Sequence, residues 1–89
     1  MKIVRPACAG TMESSDAYVE VSPAEELSIE IESAVFERFG EDIRASVSSV
    51  LAELGVECAE IRINDRGALD CVIRARVETA LRRGSEEAK

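Results

Sequence analysis

The stretch CAEIRINDRGALDCVIRARV, residues 58–77, decides which fold this chain adopts. Its first half reads one way: Ala59, Ile61 and Ile63 alternate with Glu60, Arg62 and Asn64, the period-two pattern of a strand with one buried face. Asn64, Asp65, Arg66 and Gly67 then read as a reversal, because Asn and Asp tolerate left-handed backbone angles and glycine has no side chain to clash. The second half fits two periods. Leu69, Cys71, Ile73, Ala75 and Val77 alternate as a strand does, whereas Leu69, Val72, Ile73, Val77, Ala80 and Leu81 fit one face of a helix. A tight reversal after a strand calls for a partner strand. The reading therefore favours a strand to Arg76 and a short helix to Arg83, with helix throughout as the alternative.

Upstream, the clearest element is EDIRASVSSVLAELG, residues 41–55, in which Ile43, Val47, Val50, Leu51 and Leu54 line one face of a helix. Glu41 and Asp42 suit the positive end of its dipole, and Gly55 is placed to cap it. Val35, Phe36 and Phe39 also fall at helical spacing, with Gly40 offering a break or bend. Earlier still, Ala17, Val19 and Val21 alternate with polar neighbours, as do Leu27, Ile29 and Ile31 beyond Pro23. Two strands so closely joined predict a hairpin. The expected fold is α+β: a small antiparallel sheet in the order ββαββα with helices packed on one face. Residues 1–16 read as an extended arm or loop, 17–83 as a single domain, and 84–89 as a frayed tail.

With 89 residues the chain has a thin core and little room for an enclosed catalytic cavity. Its net charge of -7 opposes nucleic acid and anionic membranes, which repel an acidic surface. Arg74, Arg76, Arg82 and Arg83 gather near the C-terminus, either as a solvated face or as a local basic patch. Cys8, Cys58 and Cys71 are an odd number without close pairing, which fits neither a disulfide framework nor a zinc site. Reduced thiols, and no segment suited to export or to crossing a bilayer, point to a cytoplasmic protein.

The chemistry-bearing residues are few. The chain has no histidine, so a serine nucleophile lacks its usual base, and Ser-Lys pairing would need Lys2 or Lys89 near the ends. Cys58 and Cys71 read as small packed hydrophobes, Cys71 on the inward side, and Cys8 as an exposed thiol with only Arg5 to lower its pKa. The stretch AGTMESSD, residues 9–16, sets Ser14 and Ser15 between Glu13 and Asp16 ahead of a strand. Such serines are either turn formers or acceptors acted on by another enzyme, a role that needs exposure, a flexible backbone and recognisable flanks but no base of their own.

AGTMESSD, then Phe39, Gly40, Ile43 and Arg44, then DRGALDC.IRAR at 65–76, together resemble the acyl carrier protein (gamma subunit) of citrate lyase over most of the chain. The carrier of malonate decarboxylase is similar in plan; the alternatives are an acyl carrier of a related lyase or of malonate decarboxylase, and a noncatalytic interaction module. The resemblance implies that Ser14 bears a covalent 2'-(5''-phosphoribosyl)-3'-dephospho-CoA group in phosphodiester linkage. It also implies a carrier without catalysis of its own, holding acetyl and citryl thioesters while citrate is cleaved to acetate and oxaloacetate. The implied partners are a transferase (alpha) subunit, a lyase (beta) subunit and a prosthetic-group transferase. Family members often place glycine after the modified serine, which makes Ser15 a permissive turn residue. Glu13 and Asp16 are then candidate recognition residues.

Overall fold

The computed structural model describes residues 1–33 and 36–87, with residues 36–39 described by backbone alone. Val35, the side chains of Phe36 and Phe39, and Lys89 lie outside the described residues. Four strands and two helices follow in the order β1 (Ala7–Gly10), β2 (Ala17–Ser22), β3 (Leu27–Ser33), α1 (Phe36–Leu54), β4 (Ala59–Asp65) and α2 (Asp70–Gly84). The α+β class holds, and both helices pack on the sheet's apolar face: α2 against β1 and β2, α1 against β3 and α2.

The sheet order is β1-β2-β4-β3, and it is mixed rather than antiparallel. β2 pairs antiparallel with β1 and with β4, while β3 lies parallel to β4. The expected hairpin between 17–22 and 27–32 therefore does not form. Burial explains why. In β4, Ala59, Ile61 and Ile63 are almost wholly buried, which favours a central position, whereas Leu27 of β3 is 46% exposed and Ile29 and Ile31 are only half-buried. α1 makes the crossover that parallel pairing requires, and β4 enters between the two earlier strands, setting Ile61 opposite Val21 on one side and Ile29 on the other. Burying a side chain of this size contributes about 1.5–3 kcal/mol.

The ambiguous segment resolves as helix. Ile73, Val77, Ala80 and Leu81 are all buried, while Leu69 is 70% exposed and Cys71 and Ala75 face solvent. The expected strand at 69–76 would have set Cys71 inward; with both flanks of β4 already paired, it had no place in the sheet beside that strand. Asp70 stands in the first turn of α2, and Arg82 and Arg83 in the last, each matching the helix dipole. α1 runs unbroken through Gly40, read from the sequence as a break or bend, and Gly40 is buried. Gly55 caps α1 with φ +66°. Its N–H donates to the Ala52 carbonyl (3.2 Å) and the Val56 N–H to that of Leu51 (2.9 Å), the bond pair of a Schellman cap.

Both ends are more ordered than their composition implies. Ala7–Gly10 forms a short edge strand where an extended arm was expected, and Ala9 and Ile3 enter the core. A frayed tail was expected at 84–89; its described residues, 84–87, carry backbone bonds to the N-terminal segment. Ser85 is buried and bridges Ile3, and the Glu86 N–H donates to the Lys2 carbonyl (3.0 Å).

Candidate functional site

What remains of the expected arm is the β1–β2 connection, residues 11–16, and its geometry begins at Gly10. That residue sits at φ +92°, and a Cβ built there would lie 1.8 Å from the Ala17 carbonyl oxygen. Only glycine lets the two strands close this tightly. The Asp16 N–H then donates to the Glu13 carbonyl (3.2 Å), closing a four-residue turn with Ser14 and Ser15 at its centre. Ser15 has φ +67° and Ser14 does not share that sign, the pattern of a type II turn, whose third position favours glycine. Ser14 occupies the corner and is exposed, as are Met12 and Glu13.

The turn is stapled from below. Asp16 accepts from the Thr11 hydroxyl (2.7 Å), from the Ala17 N–H (2.7 Å) and from Arg76 of α2 through Nε (2.9 Å) and a terminal guanidinium nitrogen (3.3 Å). These bonds, that to Arg76 above all, hold the Asp16 carboxyl well below the usual carboxylate range. Thr11 Oγ1 in turn accepts from the Glu13 N–H (3.2 Å). On the far side the Ser15 N–H donates to the Arg66 carbonyl (2.8 Å) and the Arg66 N–H to the Asp16 carbonyl (2.9 Å), extending the β2–β4 ladder by one step. Asp65, buried beneath, accepts from the Ser33 hydroxyl (2.7 Å) and from the N–H groups of Gly67 (3.1 Å) and Ala68 (2.8 Å).

Two segments far apart in sequence thus build one platform: 9–16 forms the turn, and 65–76 holds it through Arg66 and Arg76. Asp70 does similar work one turn away, accepting from the Ser46 hydroxyl of α1 and from Arg74 (2.8 Å), contacts that lower its pKa. Of the acidic pair flanking the serines, Glu13 is free to meet a partner, but Asp16 is committed to the fold, which corrects its reading as a recognition residue. The four C-terminal arginines are dispersed rather than pooled: Arg74 pairs with Asp70, Arg76 with Asp16 and Arg82 with Glu78, while Arg83 donates to the Cys8 carbonyl. Cys8, Cys58 and Cys71 are all exposed free thiols, and the Lys2 backbone carbonyl accepts from the Glu86 N–H. Nothing local in the sequence announces the Asp16–Arg76 pair, since 60 positions separate its members.

Two consequences can be measured. Changing Ser15 to Gly relieves a left-handed strain of roughly 1–2 kcal/mol, less the extra freedom glycine has when unfolded, for a net gain of up to about 1 kcal/mol and a Tm higher by several degrees. The second concerns acid. The depressed Asp16 carboxyl contributes stability that is fully present above its ordinary unfolded pKa of about 3.9 and is lost as the pH falls toward the lowered folded value. In thermal melts between pH 2 and 7, Asp16→Asn is therefore less stable than wild type at neutral pH, and the gap narrows steadily below about pH 4.

The family model described as malonate decarboxylase delta subunit (MdcD), of the ACP type, matches residues 4–84. Within that class the chain belongs to the citrate lyase acyl carrier protein family. It is 53% identical over 87 residues to the citrate lyase acyl carrier protein of Haemophilus influenzae strain PittEE, covering 98% of this chain and 92% of that relative. The Treponema denticola protein of the same description is 47% identical over 87 residues, covering 98% of this chain and all of that one (100%). In solved structures the fold is similar to a chain of a Pseudomonas malonate decarboxylase hetero-tetramer in complex with malonate, with a TM-score of 0.78, 22% identity, and coverage of 96% of this chain and 93% of that one.

Proposed function

We propose that this chain is the acyl carrier subunit of citrate lyase, with Ser14 as the covalent attachment point of a 2'-(5''-phosphoribosyl)-3'-dephospho-CoA arm. The observation that carries the reading is the exposure of Ser14 at the corner of a turn that is otherwise bonded down on both sides. An attachment serine must enter another enzyme's active site, so its own backbone has to be presented and not buried. It must also root a long arm without unravelling, and the Asp16–Arg76 and Ser15–Arg66 bonds hold that root. When bound, the arm supplies a thiol on which acyl groups are held as thioesters.

The residues around Ser14 fit presentation better than catalysis. Asp16 is saturated by Arg76, Thr11 and its own neighbour. A hollow of about 690 Å³, open to solvent on the outer sheet face, is lined by Met12, Tyr18, Glu20, Glu30 and Arg62 among others. A tethered acyl group meets its partner enzymes at high effective concentration, which is the physical gain a carrier provides. The partners in this reading are a transferase subunit, a lyase subunit and the enzyme that attaches the arm; the carrier itself performs no bond-breaking step.

The test is reconstitution. Carrier modified by the citrate lyase arm-transferring enzyme, mixed with citrate lyase catalytic subunits, should release acetate and oxaloacetate from citrate, and unmodified carrier should not. The second reading, a malonate decarboxylase carrier, is favoured by the family model and the structural likeness; activity with the malonate decarboxylase subunits alone would select it.

A further inference from the structure

Among the described side chains, four arginines pair with carboxylates: Arg62 with Glu30 and Glu60, Arg74 with Asp70, Arg76 with Asp16, and Arg82 with Glu78. Arg5 and Arg83 donate to backbone carbonyls instead. Arg66 is exposed, and its guanidinium has no carboxylate partner among the described residues. Its backbone, by contrast, is locked on both sides to the turn that carries Ser14, accepting from the Ser15 N–H (2.8 Å) and donating to the Asp16 carbonyl (2.9 Å). In a chain of net charge -7, an uncommitted cation is thereby held beside the acceptor serine.

A phosphodiester on Ser14 places a negative charge next to Glu13, on an already acidic molecule, and Arg76 is occupied by Asp16. The planar guanidinium fork matches phosphate oxygens in pairs, as an ammonium does not. We propose that Arg66 is a phosphate-binding positioning residue, whose guanidinium contacts the diester phosphate joining the arm to Ser14 and orients the root of the arm on the turn. This rests on the attachment reading above and goes beyond it by assigning a binding partner to the linkage. The acyl chemistry at the far end of the arm is not touched by Arg66.

The test uses the full chain, carrying the arm, in four forms: wild type, Arg66→Gln, Arg66→Lys, and Arg44→Gln as a control that removes from α1 one exposed arginine with no carboxylate partner among the described residues. The side chain of Arg66 is exposed and its backbone bonds survive substitution, so the variants should melt with wild type. The 31P resonance of the diester should shift in Arg66→Gln, stay in place in Arg44→Gln, and return part-way in Arg66→Lys; about 0.5 M salt should shrink the differences. The initial rate of arm attachment, followed by intact mass, should fall about fivefold in Arg66→Gln and less than about twofold in the control. An altered 31P resonance with an unaltered rate also supports the proposal, as a contact formed after attachment. Equal 31P spectra in Arg66→Gln and Arg44→Gln overturn it, and a rate loss without a spectral change does so too, by assigning Arg66 to the attaching enzyme's contact surface. A Ser14→Ala chain that still gains the arm would sink the attachment reading instead, so the two failures are distinct.

Discussion

Replacing Ser14 with alanine leaves a folded carrier that gains no arm: the mass increase on incubation with the attaching enzyme disappears, and citrate cleavage by the reconstituted complex falls to background. The effect is expected to be all-or-none because alanine removes the hydroxyl proposed to form the ester, and the neighbouring Ser15 is not expected to replace it. Ser15 sits at φ +67° with its N–H tied to Arg66, on the far side of the turn's corner. Ser15→Ala should therefore keep the mass increase. Stability separates this result from misfolding. Ser14 is exposed, and surface changes of this kind usually lie within about 0.5 kcal/mol, so Ser14→Ala should melt within a few degrees of wild type.

Gly10→Ala should have the largest effect on the fold. The methyl group would lie 1.8 Å from the Ala17 carbonyl oxygen, a backbone atom next to the last β1–β2 pair, Gly10 with Tyr18. At φ +92° the left-handed conformation alone costs an L-residue roughly 1–2 kcal/mol, and the clash cannot be relieved without opening the strand pair. A loss of at least about 2 kcal/mol is expected, which for a domain of this size lowers Tm by about 10 °C or more. The Ser14 turn should loosen with it, seen as faster amide exchange at Ser15 and Arg66, whose bonds depend on the closed hairpin. A Gly10→Ala chain melting within a degree or two of wild type would show that the turn does not rest on this close approach.

How far the sequence alone reveals this molecule depends on the range of the forces involved. The α1 face from Ile43 to Leu54 and the alternation at Ala59, Ile61 and Ile63 are local patterns, and both were legible because one period dominates each. β1 was not, since Ala7, Cys8, Ala9 and Gly10 have small side chains with no contrast between faces. α2 offered two periods; the deciding signals were Asp70 in its first turn with Arg82 and Arg83 in its last, a charge pattern that a strand does not need. Strand pairing was the hardest part. Proximity in sequence favours joining β2 to β3, but β4 is the more deeply buried strand and takes the centre, and only the folded sheet ranks their burial. At the site, the residues alone gave Ser14 and Ser15 the same two readings; the family resemblance proposed Ser14 for attachment and made Ser15 a permissive turn residue, and Ser15 has φ +67°. The roles of Gly10, Arg66 and Arg76 were not legible, because each is defined by a contact made across the fold.

The central claim is that the arm grows from the corner of the 11–16 turn, and fragmentation of the modified protein tests it most directly. After arm attachment and proteolysis, tandem mass spectrometry of the peptide spanning that turn should place the whole added mass on Ser14, with Ser15 and the three cysteines unmodified. Added mass on any other residue, or a complex that cleaves citrate with a carrier bearing no added mass, would contradict the account.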